Sequence, residues 1–368
     1  MINGIFGKKE CFLVSMMVIF LLLNGFTVCN SAAPPKVKEL KWATVLPESD
    51  YNLQSVKQLR NDIEAFTNGS IKPTVYAAGV IAEIKDLPEL CRTGAIEMTS
   101  TAPVHYPSLF PLNGVLTIFP IVFKSPEQAV YTWRGLLRDI PEMQGEYAKQ
   151  NQYCLNRSTM APYVTLSKKP IRNLADLKGL KIRDFPGKYF PNMLRKVGAS
   201  SNPIPTAEIF EGLSRGLLDA VMTNVSVIES LRFYEAAKYV GLPIGTFIAY
   251  HNSINLDVWN SFTPEIKEAF TRAAIKWGVR DLELQSTVES KSIESLKKKG
   301  VQFIEFDQKD RNNLLAMGGD PWMAAKDYLV NDLKVDESVA NRFIKRWHEL
   351  TDEYEQKYLS TGKKWEYQ

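Results

Sequence analysis

Reactive side chains are scarce in this sequence: three histidines and four cysteines in 368 residues. His105, His251 and His348 stand in unrelated contexts, so no paired-histidine metal spacing forms, and no Gly-X-Ser-X-Gly elbow is present. The common zinc and serine-hydrolase chemistries are thereby set aside, and neither a metal nor a cofactor is expected. Charge of one sign is also lacking. With 45 basic and 41 acidic side chains the net charge is only +4, which gives no basic face for nucleic acid. Apolar runs long enough to span a bilayer are missing too. The longest, Phe12 to Phe26, has 15 residues, short of the roughly 20 that a permanent membrane helix needs.

That run follows Lys8-Lys9 and precedes small residues at Ser31 and Ala33, the pattern of a secretory signal over residues 1–33. Cys29 invites a lipoprotein reading, but Val28 stands where that signal wants a very small residue, which argues for simple cleavage and a periplasmic location. Cys91 and Cys154 remain, too few for a disulfide framework and too far apart for a metal motif. One bridge or two buried thiols would fit equally.

What is present is an ordinary globular composition, 45% hydrophobic and 23% charged, on a chain long enough for about two domains. Strand-like alternation at 39–45 is followed by helical spacing at 51–66 (Leu53, Val56, Leu59, Ile63) and a second strand at 71–76. A helix over 84–92 and a strand over 96–100 continue this β-α-β rhythm, and Ile118 to Phe123 reads as an edge or crossover because of Pro120. Helices are expected at 127–137 and 142–150, then strand segments at 153–155 and 163–166. Beyond them come helices at 189–197 and 207–215, a strand at 220–223 and a helix over 224–239. Strands at 248–256 and 301–306 flank a very long helix from Thr263-Pro264 to Lys299, and polar helices follow.

The stretch Lys168 to Arg183 organises the second half. A proline-directed turn and a Leu-Ala-Asp-Leu turn closed by Gly179 lead into Lys181-Ile182-Arg183. An arginine at a strand end can aim its planar fork into a cleft, where it suits a carboxylate. Taken alone, such an arginine is ordinary surface chemistry.

This stretch resembles the extracytoplasmic solute receptors of tripartite ATP-independent periplasmic (TRAP) transporters, the C4-dicarboxylate-receptor-like family. So do Phe233 to Tyr239, Gly94-Ala95-Ile96-Glu97-Met98, Phe119 to Phe123, Gly216-Leu217-Leu218-Asp219 and Asp257-Val258-Trp259, in that family's order, over Leu40 to about Phe306. The resemblance implies an α/β, two-lobed periplasmic binding protein of type II-like architecture, with hinge strands and a long helix spanning both lobes. It implies lobe I at 34–158 and 249–285, lobe II at 159–248 and 286–345, and a helical tail at 346–368. Arg183 holds the family's carboxylate-binding position. Glu83, His105, Phe185, Thr206, Thr223 and Asn224 fall at other lining positions, and Tyr163 stands where many relatives carry a second cation, so an aromatic wall replaces a dicarboxylate clamp. The implied function is capture of a small organic acid and its delivery to membrane-embedded TRAP subunits. A sensor subunit signalling to a membrane kinase is the alternative, and no enzyme activity is expected.

Overall fold

The structure, a computed structural model, describes residues 37–48, 50–119, 122–184 and 188–365. The expected signal segment, Cys29 and Phe185 lie outside them. The first strand, β1 (Lys38–Thr44), inserts Leu40 and Trp42 into a core that α1 (Tyr51–Phe66) covers with Leu53, Val56, Leu59 and Ile63. Asp50 caps α1, accepting from Asn52 N at 2.8 Å. After β2 (Ile71–Tyr76), the single helix expected over 84–92 is instead a 3-10 turn at Ile84–Asp86 followed by α2 (Leu87–Thr93). Pro88 lacks the N–H that would carry one helix through both, and it sits comfortably in the first turn of the second. β3 (Met98–Thr101) is wholly buried.

One helix had no sequence signal. α3 (Pro111–Ile118) is buried on nearly every side, so it shows no amphipathic period to read. The Glu146 carboxylate lies at its N-terminus, accepting from Leu112 N at 2.7 Å and Asn113 Nδ2 at 2.7 Å. α4 (Pro126–Asp139) and α5 (Pro141–Lys149) follow as expected.

The two segments expected at 153–155 and 163–166 are one strand, β4 (Gln152–Ser167), 16 residues long. Pro162 is tolerated because the pairing register shifts between Met160 and Tyr163, where no ladder hydrogen bond is required of it. β5 (Lys181–Arg183), α6 (Tyr189–Lys196), β6 (Ser200–Ser201), α7 (Ile209–Ser214) and β7 (Ala220–Asn224) complete a second β-α-β series. The long helix expected over 224–239 is corrected to a short one, α8 (Val225–Ser230). Arg232 takes a left-handed conformation (φ 57°) that ends the helical path, and β8 (Tyr239–Asn255) begins well before the expected 248. Gly241 lets β8 pass close to the next segment: a Cβ there would lie 2.9 Å from Ile304 O.

After α9 (Leu256–Asn260), α10 (Pro264–Lys298) runs 35 residues, about 50 Å, as the Thr263-Pro264 start and Lys297-Lys298 end imply. The strand expected at 301–306 is only β9 (Gln302–Phe303). α11 (Gln308–Met317), α12 (Pro321–Asp327) and α13 (Glu337–Tyr354) finish the described chain. α13 docks on α4, where Gly135 leaves room for the Leu350 side chain.

Among the described residues the strands form one sheet, in the order β2-β1-β3-β8-β4-β7-β5-β6, with β9 added beside β8. β8 and β4 run antiparallel through its middle, and their register slips four times between Cys154 and Thr165. Buried polar side chains tie one end crosswise. Trp42 Nε1 donates to Ser100 Oγ (2.8 Å), Ser100 to Asn252 Oδ1 (2.5 Å) and Asn252 Nδ2 to Asn156 Oδ1 (2.7 Å), so β1, β3, β8 and β4 are linked in turn.

α10 braces the whole. Lys276 and Arg280 pair with Asp62 of α1, and Trp277 Nε1 donates to Ser55 O at 3.0 Å. Farther along, Gln285 Nε2 donates to Thr159 O of β4 at 2.5 Å, and just past the helix end Lys299 pairs with Glu229 of α8 at 3.1 Å. Asp281, 3% exposed, accepts from Ser55 Oγ at 2.7 Å. Burial pushes its carboxyl up to about 7. The folded chain therefore holds this proton more tightly than the unfolded chain. The stability it contributes is complete below the ordinary aspartate range and is lost as pH rises through about 7. Asp281→Asn, which can still accept from Ser55, is expected to raise the melting temperature relative to the parent at pH 8 more than at pH 5. An equal shift at both, measured by thermal denaturation, would contradict the protonated state.

Candidate functional site

Arg183 ends β5 and is half-buried, with its strand neighbour Ile182 fully buried beside β7. Its Nε donates to Ile204 O at a long 3.3 Å, and among the described residues it forms no ion pair. Burial pulls its guanidinium pKa down, with Tyr163 and Asp184 acting in the opposite sense. Asp184 points elsewhere: it is 1% exposed, accepts from Ser201 Oγ at 2.8 Å, and is pushed up to about 6 by burial.

Tyr163 lies in β4 opposite Asn224 of β7 and Gly245 of β8, in the stretch where the register slips. Burial pushes its phenol up to about 12; the Arg183 charge opposes that and the Asp50 charge adds to it. His105 ends a 3-10 turn at Pro103–His105 and stays accessible, yet burial and then the Arg183 charge hold its pKa below the ordinary histidine value. Accessible or half-buried groups that still feel strong desolvation describe a concave wall. Arg183 is within electrostatic reach of both Tyr163 and His105, and these three define the candidate hollow.

The remaining expected residues divide. Thr223 and Asn224 are buried in β7, and Asn224 Oδ1 is committed to capping α8, accepting from Val227 N at 2.9 Å and Ser226 Oγ at 2.7 Å. Thr206 is exposed, two residues after the carbonyl that receives Arg183. Glu83 is exposed and pairs with Lys85 at 2.9 Å, apart from the groups that Arg183 influences. Phe185 lies outside the described residues.

Four groups that sequence reasoning passed over join the hollow. Asp50, Tyr51, Tyr106 and Tyr250 are bound to it electrostatically: Asp50 raises the pKa of Tyr51, Tyr163 and Tyr250, and Tyr106 raises that of Tyr250. Tyr106 donates to Ile84 O, and its hydroxyl accepts from Thr101 Oγ1 at 2.9 Å. The only local signal for Asp50 was its place before a helix, which capping explains by itself. Tyr250 sits within a strand and had no signal at all.

Two cavities bear on the site. One of about 210 Å³ lies between α1, α8 and α10, lined by Asp50, Tyr51, Ser226, Ser230, Val288 and Ser292. A larger one, about 790 Å³, lies between α4, the start of β4 and the C-terminal residues through Trp365; it contains none of the groups that Arg183 touches. Volume alone would favour the second. The first is lined by Asp50, whose charge reaches Tyr163, and that nearness favours it.

Known proteins resemble this chain over most of its length. The chain is 25% identical over 290 residues to the 2,3-diketo-L-gulonate-binding periplasmic protein YiaO of Escherichia coli, an alignment covering 78% of this chain and 86% of that protein. It is 24% identical over 287 residues to the monocarboxylate 2-oxoacid-binding periplasmic protein all3028 of Nostoc, covering 76% and 77%. Among solved structures, a TRAP periplasmic solute-binding protein of Xanthobacter autotrophicus with bound β-D-galacturonate superposes with TM-score 0.69 at 24% identity, covering 84% of this chain and 99% of that one. Another, from Desulfovibrio salexigens with bound orotic acid, gives 0.74 at 18%, covering 86% and 99%. These likenesses establish the two-lobed α/β fold with its hinge strands and long helix. The family model for bacterial extracellular solute-binding proteins, family 7 (DctP), matches residues 42–324, and the chain belongs to that family.

Proposed function

We propose that this protein is the extracytoplasmic receptor of a TRAP transporter, which captures a small organic acid in the hollow at Arg183 and hands it to membrane-embedded partner subunits. The observation that carries the reading is Arg183 itself: a crowded guanidinium whose pKa is depressed by burial and which forms no ion pair among the described residues. A desolvated cation with no carboxylate paired to it is costly, and a planar fork is best answered by a carboxylate. The relatives named above bind acids, which agrees with that chemistry. In this reading Tyr163 and His105 are the walls around the anchor, with Thr206, Thr223 and the buried Asn224 behind them; Glu83 and Phe185 are the remaining candidates.

We further assign the division of labour along the chain. Residues 34–158 with 249–285 form one lobe, 159–248 with 286–345 the other, and 346–368 a helical tail. The register slips of β4 against β8 support a bend at this division. Closure over the solute would draw on contacts made only in the closed state.

Arg183→Ala is expected to fold nearly as the parent does and to lose about 2 to 5 kcal/mol of binding free energy for a carboxylate solute found by a thermal-shift screen. Unchanged affinity by calorimetry would remove Arg183 from the anchoring role. A second expectation concerns pH. Burial and the Arg183 charge make His105 harder to protonate in the free receptor than an ordinary histidine. An anion seated against Arg183 cancels that charge and raises the His105 pKa in the complex. Binding should therefore take up protons, and affinity should rise as pH falls from neutral through the histidine range. Asp184, near 6, also feels the Arg183 charge, and burial raises Asp50, so His105→Ala is the control: it should flatten the slope above pH 6. Calorimetry in buffers of different ionisation enthalpy reads the proton uptake directly, and zero uptake would reject the coupling.

A further inference from the structure

The cavity of about 790 Å³ has walls for which the acid-receptor reading has no use. Protein interiors leave few voids larger than a water molecule, and hollows of roughly 300 to 1,000 Å³ are the ordinary size of small-molecule sites. One wall is a face of α4: Tyr131, Arg134 and Arg138 follow one another at spacings of three and four, so they line up along one side of the helix. Tyr153 and Leu155 at the start of β4 form a second wall, and Tyr358, Lys364 and Trp365 beyond α13 a third. Tyr131, Arg134, Tyr153, Tyr358 and Trp365 are half-buried, so each keeps surface that a ligand can cover.

The rings brace one another. Trp365 stands edge-on to Tyr131 with centroids 5.7 Å apart, Tyr358 lies 5.9 Å from Tyr131, and Tyr153 is stacked on Trp259 at 4.3 Å. Rings held in this way lose little freedom when a flat molecule settles among them. The charge is one-sided. Arg134, Arg138 and Lys364 line the cavity, and no aspartate or glutamate does. Two carboxylates come near from outside the lining and are already engaged. Asp139 pairs with Arg138 at 2.6 Å and with Arg346 at 2.8 Å, while Glu353 pairs with Lys357 at 2.5 Å and accepts from the Tyr131 hydroxyl. Lys364 forms no ion pair among the described residues. Positive charge therefore remains in excess within a concave wall, where it acts more strongly than on an open face. A purely hydrophilic acid would leave the rings, Leu137, Leu155 and Leu350 uncovered.

We propose that this cavity is a second ligand site, separate from the hollow at Arg183, and that it takes an aromatic or fused-ring anion. The flat body lies among Tyr131, Tyr358 and Trp365, and its anionic group meets Arg134, Arg138 and Lys364. The proposal goes beyond the receptor reading and stands without it.

The test uses 2-naphthoate, its uncharged analogue 2-naphthamide and the hydrophilic acid D-galacturonate, titrated calorimetrically into the full-length mature protein and into Arg183→Ala. 2-Naphthoate should bind at least about tenfold more tightly than the amide, and Arg183→Ala should keep that binding. In Arg183→Ala, D-galacturonate should bind at least about tenfold more weakly than 2-naphthoate. Lys364→Gln should weaken 2-naphthoate about threefold and Trp365→Ala about tenfold. Lys364 is exposed and both residues lie beyond the last long helix, so a lost fold does not confuse these two variants. Arg134→Gln combined with Arg138→Gln should cost more than about tenfold, with thermal denaturation checking that the free variant folds. On binding, amide hydrogen exchange should slow at 131–138 and 358–365 and stay unchanged at 181–183. The inference is overturned if 2-naphthoate does not bind below about 1 mM, if the amide binds as tightly, if Arg183→Ala abolishes binding, or if Lys364→Gln and Trp365→Ala both leave it unchanged. Failure of the receptor reading looks different: organic acids then bind Arg183→Ala as they bind the parent, while Lys364→Gln and Trp365→Ala still weaken 2-naphthoate.

Discussion

The antiparallel pairing of β4 with β8 is the constraint on which the rest depends. Every other strand hangs from one of these two, directly or through a neighbour. At one end the ladder is stiffened sideways by the relay from Trp42 through Ser100 and Asn252 to Asn156. His251 and Arg157, also buried there, are locked among Phe110, Tyr147 and Asn113 O. Where the register slips, Tyr163 comes within reach of the Arg183 charge and Gln285 of α10 reaches the Thr159 carbonyl. A ladder that is continuous in connection but uneven in register gives a joint that bends without coming apart.

The electrostatics of the hollow follow from that geometry. Its groups are neither core nor surface. Arg183 and His105 keep some access to solvent, yet protein on several sides strips enough water to move their ionisation. In such surroundings charges interact more strongly than at an open face. Three tyrosines, Tyr106, Tyr163 and Tyr250, stay neutral because burial raises their phenol pKa values, so the hollow offers aromatic faces and hydroxyls without adding charge.

The sequence revealed what is local and periodic. α1 and β2 fall on the residues their spacing announces, and α10 ends within one residue of expectation. It concealed what depends on distant packing. α3 has no polar face, β4 carries a proline and β8 three glycine or proline interruptions, so neither long strand looked continuous. The candidate site follows the same division. Arg183 and Tyr163 stood out through the order of motifs around them, whereas Asp50 and Tyr250 acquire meaning only when α1 and β8 are brought to the same hollow.

Cys91 and Cys154 are both buried and both free, and burial raises each thiol's pKa. A thiol that does not ionise neither attacks nor is attacked at a useful rate. For a chain of an extracellular family this has a kinetic meaning. Among the described residues no disulfide has to form, so this part of the chain reaches its native state without an oxidant, equally in anoxic or aerated surroundings.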